Sequence, residues 1–290
     1  MTALARARDY YELSKPRIII LLLVTTAASM VMAARGLPPP ALVFWTLLAG
    51  ALAAASAGAF NCVWDADIDR VMKRTQDRPI PAGRISRRAG TAYALLAGGL
   101  SFALFCIFVN PLAAWLSLAG NVYYVGIYTM WLKRITPLNI VIGGAAGSVP
   151  PLVGWAAVTN HIGGPALGLF ALIFLWTPPH FWSLALMTEM DYAKANVPML
   201  PNVCGRERTK REIVYYSLLL VAASLLLYPL HVMGALYFGA AAVLGGIFVL
   251  DAWRTWRERN GTTAARKLFR FSLVYLALMC AVMVIDRVVK

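Results

Sequence analysis

Residues 41–70 read ALVFWTLLAGALAAASAGAFNCVWDADIDR: a run from Ala41 to Trp64 without one charge, followed at once by aspartates at 65, 67 and 69. A hydrocarbon core about 30 Å thick is crossed by roughly 20 apolar residues in an α-helix. Lipid offers no partner to an unpaired backbone group, and a barrel strand would alternate in polarity. The run is therefore a membrane-crossing helix, and the acids stand at its end. Worked outward from there, the same reading predicts nine crossings, at 18–34, 41–64, 89–109, 112–131, 138–158, 165–187, 213–230, 233–250 and 268–286. The fold class is all-α and polytopic, with residues 1–290 as one integral membrane domain and 1–17 as an interfacial N-terminal segment.

Composition agrees. Of 290 residues, 60% are hydrophobic and 14% charged, and the mean hydropathy is +0.66. A soluble domain carries roughly a quarter charged residues. The deficit excludes a cytosolic enzyme, a disordered chain and a nucleic-acid-binding domain, despite a formal charge of +14. The positive charge has a location. All 27 Lys and Arg except Arg35, Arg270, Arg287 and Lys290 precede the first crossing or fall in alternate loops on one side. The positive-inside rule then puts the N-terminus in the cytoplasm and, after nine crossings, the C-terminus outside, in a bacterial inner membrane. A cleaved signal peptide is the other reading of the first span, because basic residues precede an apolar stretch ending near Ala33 and Ala34. The Lys15-Pro16-Arg17 flank and the later charge asymmetry work equally with an uncleaved helix.

Cys62, Cys106, Cys204 and Cys280 show no C-x-x-C spacing, so neither zinc nor a disulfide framework is indicated. Gly143-Gly144-Ala-Ala-Gly147 lies inside a crossing, where small residues let helices approach closely. The alternative is that these glycines make room for a bulky ligand.

Carboxylates are scarce and costly near lipid, so their placement is informative. Asn61, Asp65 and Asp69 are spaced i, i+4, i+8 and share one face if the second helix continues through them. Unpaired acids at that spacing repel, and a hard cation between them, Mg²⁺ bridged to a phosphate group, makes the arrangement favourable. Arg78 and Arg84 follow in a Pro/Gly-punctuated loop and can clamp phosphate oxygens bidentately. The plain alternative is a solvated helix end whose acids pair with Arg70, Lys73 and Arg74.

The N-x-x-x-D-x-x-x-D pattern resembles the first motif of the intramembrane aromatic prenyltransferase superfamily. More narrowly, LSKPR (13–17), DADID (65–69), DRPIPAG (77–83), YTMWLKRITPLN (128–139), WTPPHFW (176–182) and VPMLP (197–201) are similar to the protohaem IX farnesyltransferase family, the haem O synthases. The resemblance implies nine helices around a central cavity opening toward the cytoplasmic leaflet. It implies farnesyl diphosphate and protohaem IX as substrates, and Mg²⁺ held by Asn61, Asp65 and Asp69. Arg78 and Lys133 would stabilise the departing diphosphate, with Arg84 as a further substrate-binding group. A haem vinyl group would attack the allylic cation and water would complete the product, in a pocket lined by aromatic rings including Tyr128.

Further along, Glu189-Met-Asp191-Tyr-Ala-Lys194 follows the sixth span, four spans after the first motif. That spacing predicts two pseudo-repeated four-helix halves plus a ninth helix. Related quinone prenyltransferases usually carry D-x-x-x-D here; this chain has Asp191 but Ala195, so the resemblance implies that Asp191 and Lys194 contact diphosphate or one metal between them. His180 lies beside paired prolines inside a crossing, where an imidazole is costly, and in a haem enzyme its role would be axial ligation of the substrate iron. Haem A synthase or terminal oxidase assembly are the partners such a product implies, besides membrane lipids. A secondary transporter, a haem-handling scaffold and a quinone- or chlorophyll-type prenyltransferase remain the rival readings.

Overall fold

The computed structural model describes residues 3–289, and every regular element among them is helical. The first two residues of the expected N-terminal segment, and Lys290, lie outside the described residues. The elements run α1 (Ala3–Leu13), α2 (Pro16–Ala34), α3 (Pro40–Trp64), α4 (Ala66–Val71), α5 (Arg87–Phe108) and α6 (Pro111–Val122). A π-helical segment (Tyr123–Leu132) continues α6. It is followed by α7 (Lys133–Ile135), α8 (Asn139–Thr159), α9 (Gly164–Met187), α10 (Glu189–Lys194), α11 (Leu200–Leu226), α12 (Ala235–Arg257) and α13 (Thr263–Val289).

Seven of these, α2, α3, α5, α8, α9, α12 and α13, are long and apolar enough to cross a membrane. Their ends agree with the expected spans to within a turn or two. The other two expected spans take a different form. The fourth is divided, α-helical to Val122 and π-helical beyond. The seventh starts earlier than expected, because its apolar half is continuous with the charged stretch 206–212, which follows a kink at Gly205 (φ 80°, ψ 162°), and it ends at Leu226.

Local chemistry sets the boundaries. Pro16, Pro40 and Pro111 sit in first turns, where the missing N–H costs nothing. The Asn110 carboxamide accepts from Ala113 N–H at 2.9 Å and the Ser86 hydroxyl from Ala89 N–H at 3.2 Å, capping α6 and α5. The N-terminus of α12 is capped from another helix: the buried Asp286 of α13 accepts from the backbone N–H of Gly234 (2.6 Å) and Tyr237 (3.1 Å).

Helices α3, α5, α6 with its π segment, and α8 pack in succession and close on themselves; so do α9, α11, α12 and α13. Each quartet begins with a helix that carries an acidic motif at its end. The halves meet along α8 and α9, and α2 fills the seam between them, against α3, α8, α9 and α13. The helix left over by the pairing is therefore the first crossing. The second half is packed with large side chains, Trp182, Phe248, Tyr237 and Tyr275, while the first uses Ala49, Ala113, Ala114 and Ala156. Leu95, Leu96, Trp115 and Val243 point outward, as lipid-facing residues do.

Close approach of α2 to α8 depends on Gly154, where a Cβ would lie 2.3 Å from the Thr26 carbonyl oxygen. Ser29 strengthens the seam by donating to Pro151 O at 2.6 Å. Gly154→Ala is expected to cost about 1–3 kcal/mol by overpacking, read as a lowered thermal midpoint in detergent. Gly147→Ala is the control, since nothing lies within 4 Å of its added methyl, and it should leave the midpoint unchanged.

Candidate active site

The uncharged run of α3 ends on Trp64, and Asp65 (φ −84°, ψ 9°) forms the joint with α4. The joint is shallow. Asp65 N–H still reaches Asn61 O at 2.9 Å and Asp69 N–H reaches Asp65 O at 2.8 Å. The i, i+4, i+8 face expected of a continuous helix therefore survives the break, and Asn61, Asp65 and Asp69 are all buried, Asp65 completely.

Three cations from distant parts of the chain converge on this strip. Lys133 donates to Asp65 Oδ2, which also accepts from Asn61 Nδ2 at 2.8 Å. Lys15 donates to Asn61 Oδ1. Arg78 donates to Asp69 Oδ2 at 2.7 Å. The acids thus pair with Arg78 and Lys133, not with Arg70, Lys73 or Arg74 as a solvated helix end would. Burial is the largest single influence on Arg78 and works to lower its pKa, but the charge and hydrogen bond of Asp69, with Cys62 and Tyr124, together outweigh it and hold the guanidinium above its ordinary value.

One oxygen is left over. Asp65 Oδ1 is buried without a hydrogen-bond donor, a condition that costs about 1–3 kcal/mol for a neutral acceptor and more for a charged one. Among the described residues no group of three His, Cys, Asp or Glu is close enough to hold a metal alone. The donor set nevertheless fits Mg²⁺, which is commonly held by one or two carboxylates with substrate phosphates and water completing the octahedron.

The π segment faces this strip. Bonds reaching five residues back instead of four wind the helix less per residue, and the sequence YYVGIYTMWL presents Thr129 to Asn61 Nδ2 at 3.1 Å, followed by Lys133 against Asp65. The Tyr124 and Tyr128 rings lie 5.4 Å apart on the same segment. Gly143 of α8 is the reason Tyr128 fits: a Cβ there would lie 2.2 Å from the ring. The glycine run therefore accommodates an aromatic side chain at Gly143 and the Thr177 side chain at Gly144.

Not every expected residue joins this cluster. Arg84 donates to Asp9 Oδ1 (2.8 Å), Glu12 Oε2 (3.4 Å) and Asp77 O (3.0 Å), so it ties α1 to the 72–86 loop. Asp191 has no ion-pair partner among the described residues. Lys194 lines a cleft of about 380 Å³ with Asp67, Val71, Arg134 and Asn196, which brings the second acidic stretch to the mouth of the first. Arg74 bridges the same two regions, donating to Tyr192 OH at 3.1 Å with its guanidinium 5.4 Å from the ring centre.

His180 lies deeper, between α9 and α13. Its ring is stacked between Trp176 (4.3 Å) and Phe269 (4.6 Å), and Nδ1 is 2.6 Å from Ser272 Oγ. The Ser272 hydroxyl is also 2.7 Å from Phe269 O; when it donates there, its oxygen accepts the Nδ1 proton and the Nε2 lone pair is uncommitted.

Lys15 and Thr129 are the residues that sequence reasoning passed over, and Arg134 it ranked behind Lys133. Lys15 reads as a topological flank; only its left-handed backbone (φ 57°, ψ 57°) between α1 and α2 turns it onto Asn61. Thr129 looks like any threonine in an apolar run, and the π geometry that aims it has no composition of its own.

With this arrangement in view, the comparisons with known proteins become specific. The sequence model of the UbiA prenyltransferase family matches residues 22–274, and the chain belongs to that family. Among curated relatives, the protohaem IX farnesyltransferase of Synechocystis sp. is 56% identical over 97% of this chain and 90% of the relative. That of Rippkaea orientalis is 53% identical over 96% and 87%. Among solved structures, a digeranylgeranylglyceryl phosphate synthase superposes with a TM-score of 0.82 at 18% identity, covering 99% of this chain and 100% of that one. A UbiA homologue from Archaeoglobus fulgidus, bound to DMAPP and Mg²⁺, superposes with a TM-score of 0.68 at 17% identity, covering 95% and 99%.

The contacts of Arg84 and Arg78 separate their roles. Arg84→Ala should raise amide exchange across α1 while prenyl transfer falls by less than about tenfold, whereas Arg78→Ala, which leaves Asp69 buried without its partner, should lower transfer far more. Exchange mass spectrometry beside a turnover assay reads both.

Proposed function

We propose that this membrane protein transfers the farnesyl group of farnesyl diphosphate to a vinyl group of protohaem IX, with addition of water, giving haem O and diphosphate. The observation that carries the reading is the identity of more than half of the aligned residues with protohaem IX farnesyltransferases along nearly the whole chain. The buried acid strip fits the first half-reaction. The solved Archaeoglobus homologue holds a prenyl diphosphate with Mg²⁺, and the oxygen donors here suit the same use.

In this reading Asn61, Asp65 and Asp69 hold Mg²⁺, which when bound neutralises charge on the diphosphate. Lys133 and Arg78, already poised on the two carboxylates, turn to the diphosphate oxygens and take up the charge that develops as the allylic C–O bond breaks. Lys194, at the cleft, and Asp191, on the same short helix, order the outer phosphate region. Tyr128 and Tyr124 present ring faces to the allylic cation. The vinyl carbon of haem then bonds to C1 of the farnesyl group, and water adds to the new cation with loss of a proton. His180 positions haem through Nε2, its Nδ1 proton being held by Ser272. Burial keeps water from the first cation until the carbon–carbon bond has formed.

We place the N-terminus and the acid strip on the cytoplasmic side of the bacterial inner membrane, on the strength of the charge asymmetry. Residues 1–290 are read as one prenyltransferase domain, and haem A synthase or oxidase assembly as the consumers of its product.

Purified protein with protohaem and farnesyl diphosphate should yield, by mass spectrometry, a haem heavier by one farnesyl group plus one water, only when Mg²⁺ is added. Prenylation of an added hydroxybenzoate or naphthoate instead would keep the family chemistry and overturn the haem assignment. Asp65→Ala should abolish turnover with haem binding retained; His180→Ala should shift the Soret band and weaken haem binding while diphosphate binding persists.

A further inference from the structure

Of the three aspartates at the end of α3, Asp67 is left without a task by the reaction above, and so is the arginine that follows Lys133. They hold each other. Arg134 grips Asp67 with both ends of its guanidinium, Nη1 to Oδ2 and Nη2 to Oδ1, each at 2.8 Å, and Nη2 also donates to Trp64 O at 3.1 Å. Nη2 lies only 3.7 Å from Asp65 Oδ1. Its two protons are already committed, to Asp67 and to Trp64, so Asp65 Oδ1 receives no hydrogen bond and remains the buried carboxylate oxygen without a donor. The other oxygen of Asp65 is filled by Lys133 and Asn61.

We propose that Asp67 is a positioning residue that latches Arg134 away from Asp65, keeping Asp65 Oδ1 open for a divalent cation. The inference rests on the reading of Asp65 as a cation ligand. A guanidinium freed from Asp67 needs to move by less than an ångström to place a charge-assisted hydrogen bond on Oδ1. Such a bond would occupy the oxygen that the cation requires and place a like charge beside it. While latched, Arg134 still lowers the cost of the buried carboxylate through space. It thus supports the empty site without filling it.

The test uses Mn²⁺ as the probe, titrated into the full chain in detergent with and without inorganic pyrophosphate, bound ion being read from loss of the free-Mn²⁺ electron paramagnetic resonance signal. Asp67→Ala should weaken Mn²⁺ binding by about tenfold or more, the least that one charge-assisted hydrogen bond is worth. Asp67→Asn, which keeps the side-chain size and one acceptor, should weaken it less and guards against a variant that fails to fold. Removing the competitor as well, in Asp67→Ala with Arg134→Ala, should restore the original affinity. Loss of binding in Asp65→Asn with unchanged binding in Asp67→Ala would overturn the latch alone, and so would a double variant no tighter than Asp67→Ala. No Mn²⁺ binding by the unsubstituted chain would overturn the cation reading and the latch together.

Discussion

The structure is organised around one expensive fact: the carboxylate of Asp65 is taken wholly out of water at the end of a membrane-crossing helix. A buried carboxylate persists only where positive charge and hydrogen bonds meet it. Here they come from three places, Asn61 one turn before, Lys133 at the far end of the π segment, and Arg134 beside it. That demand explains why the fourth crossing departs from α geometry. The segment after Val122 has to deliver Thr129 to Asn61 and Lys133 to Asp65, and the π winding puts both on the α3 side. It also explains Gly143, since the same winding turns Tyr128 into α8.

Lipid imposes the complementary constraint. Several groups distant from the acid strip are satisfied by other helices: Asp286 caps α12, Ser29 bonds Pro151, and Trp176 Nε1 donates to Ser272 O at 2.8 Å. The proline pairs in α8 and α9 cost helical bonds, and each lies where a neighbouring hydroxyl accepts or donates. The Ser183 hydroxyl donates to Pro179 O at 2.6 Å within α9. Polar side chains thus mark helix joints in the interior, while the acids with their paired cations gather at the end of α3.

What the sequence made legible follows from the range of the physics involved. Hydropathy is local and strong, so the crossings could be placed to within a turn or two, and the i, i+4, i+8 acids could be assigned to one face although the helix breaks among them. The partners of those acids were harder. Lys133 came from resemblance, whereas Lys15 and Arg134 carry the same signal as any topological charge, and nothing in the chain's periodicity distinguishes them. Arg84 shows the opposite failure: an arginine in the right loop looks like a phosphate clamp, yet Asp9, 75 residues away and in a helix too short and polar to stand out, claims it. Nor does composition reveal that α11 would extend back through residues 206–212.

The π segment has a consequence for how this site tolerates change. Its surplus of chain per turn acts as a stored offset between the helix before Tyr123 and the groups after Leu132. A single-residue deletion within it, away from Tyr124, Tyr128 and Thr129, would change both the residue count and the winding, and so reset the direction in which the segment leaves. Lys133 would swing off Asp65 with no active-site side chain altered. In such a stretch the number of residues is fixed more tightly than their identities, and length itself becomes part of the active site.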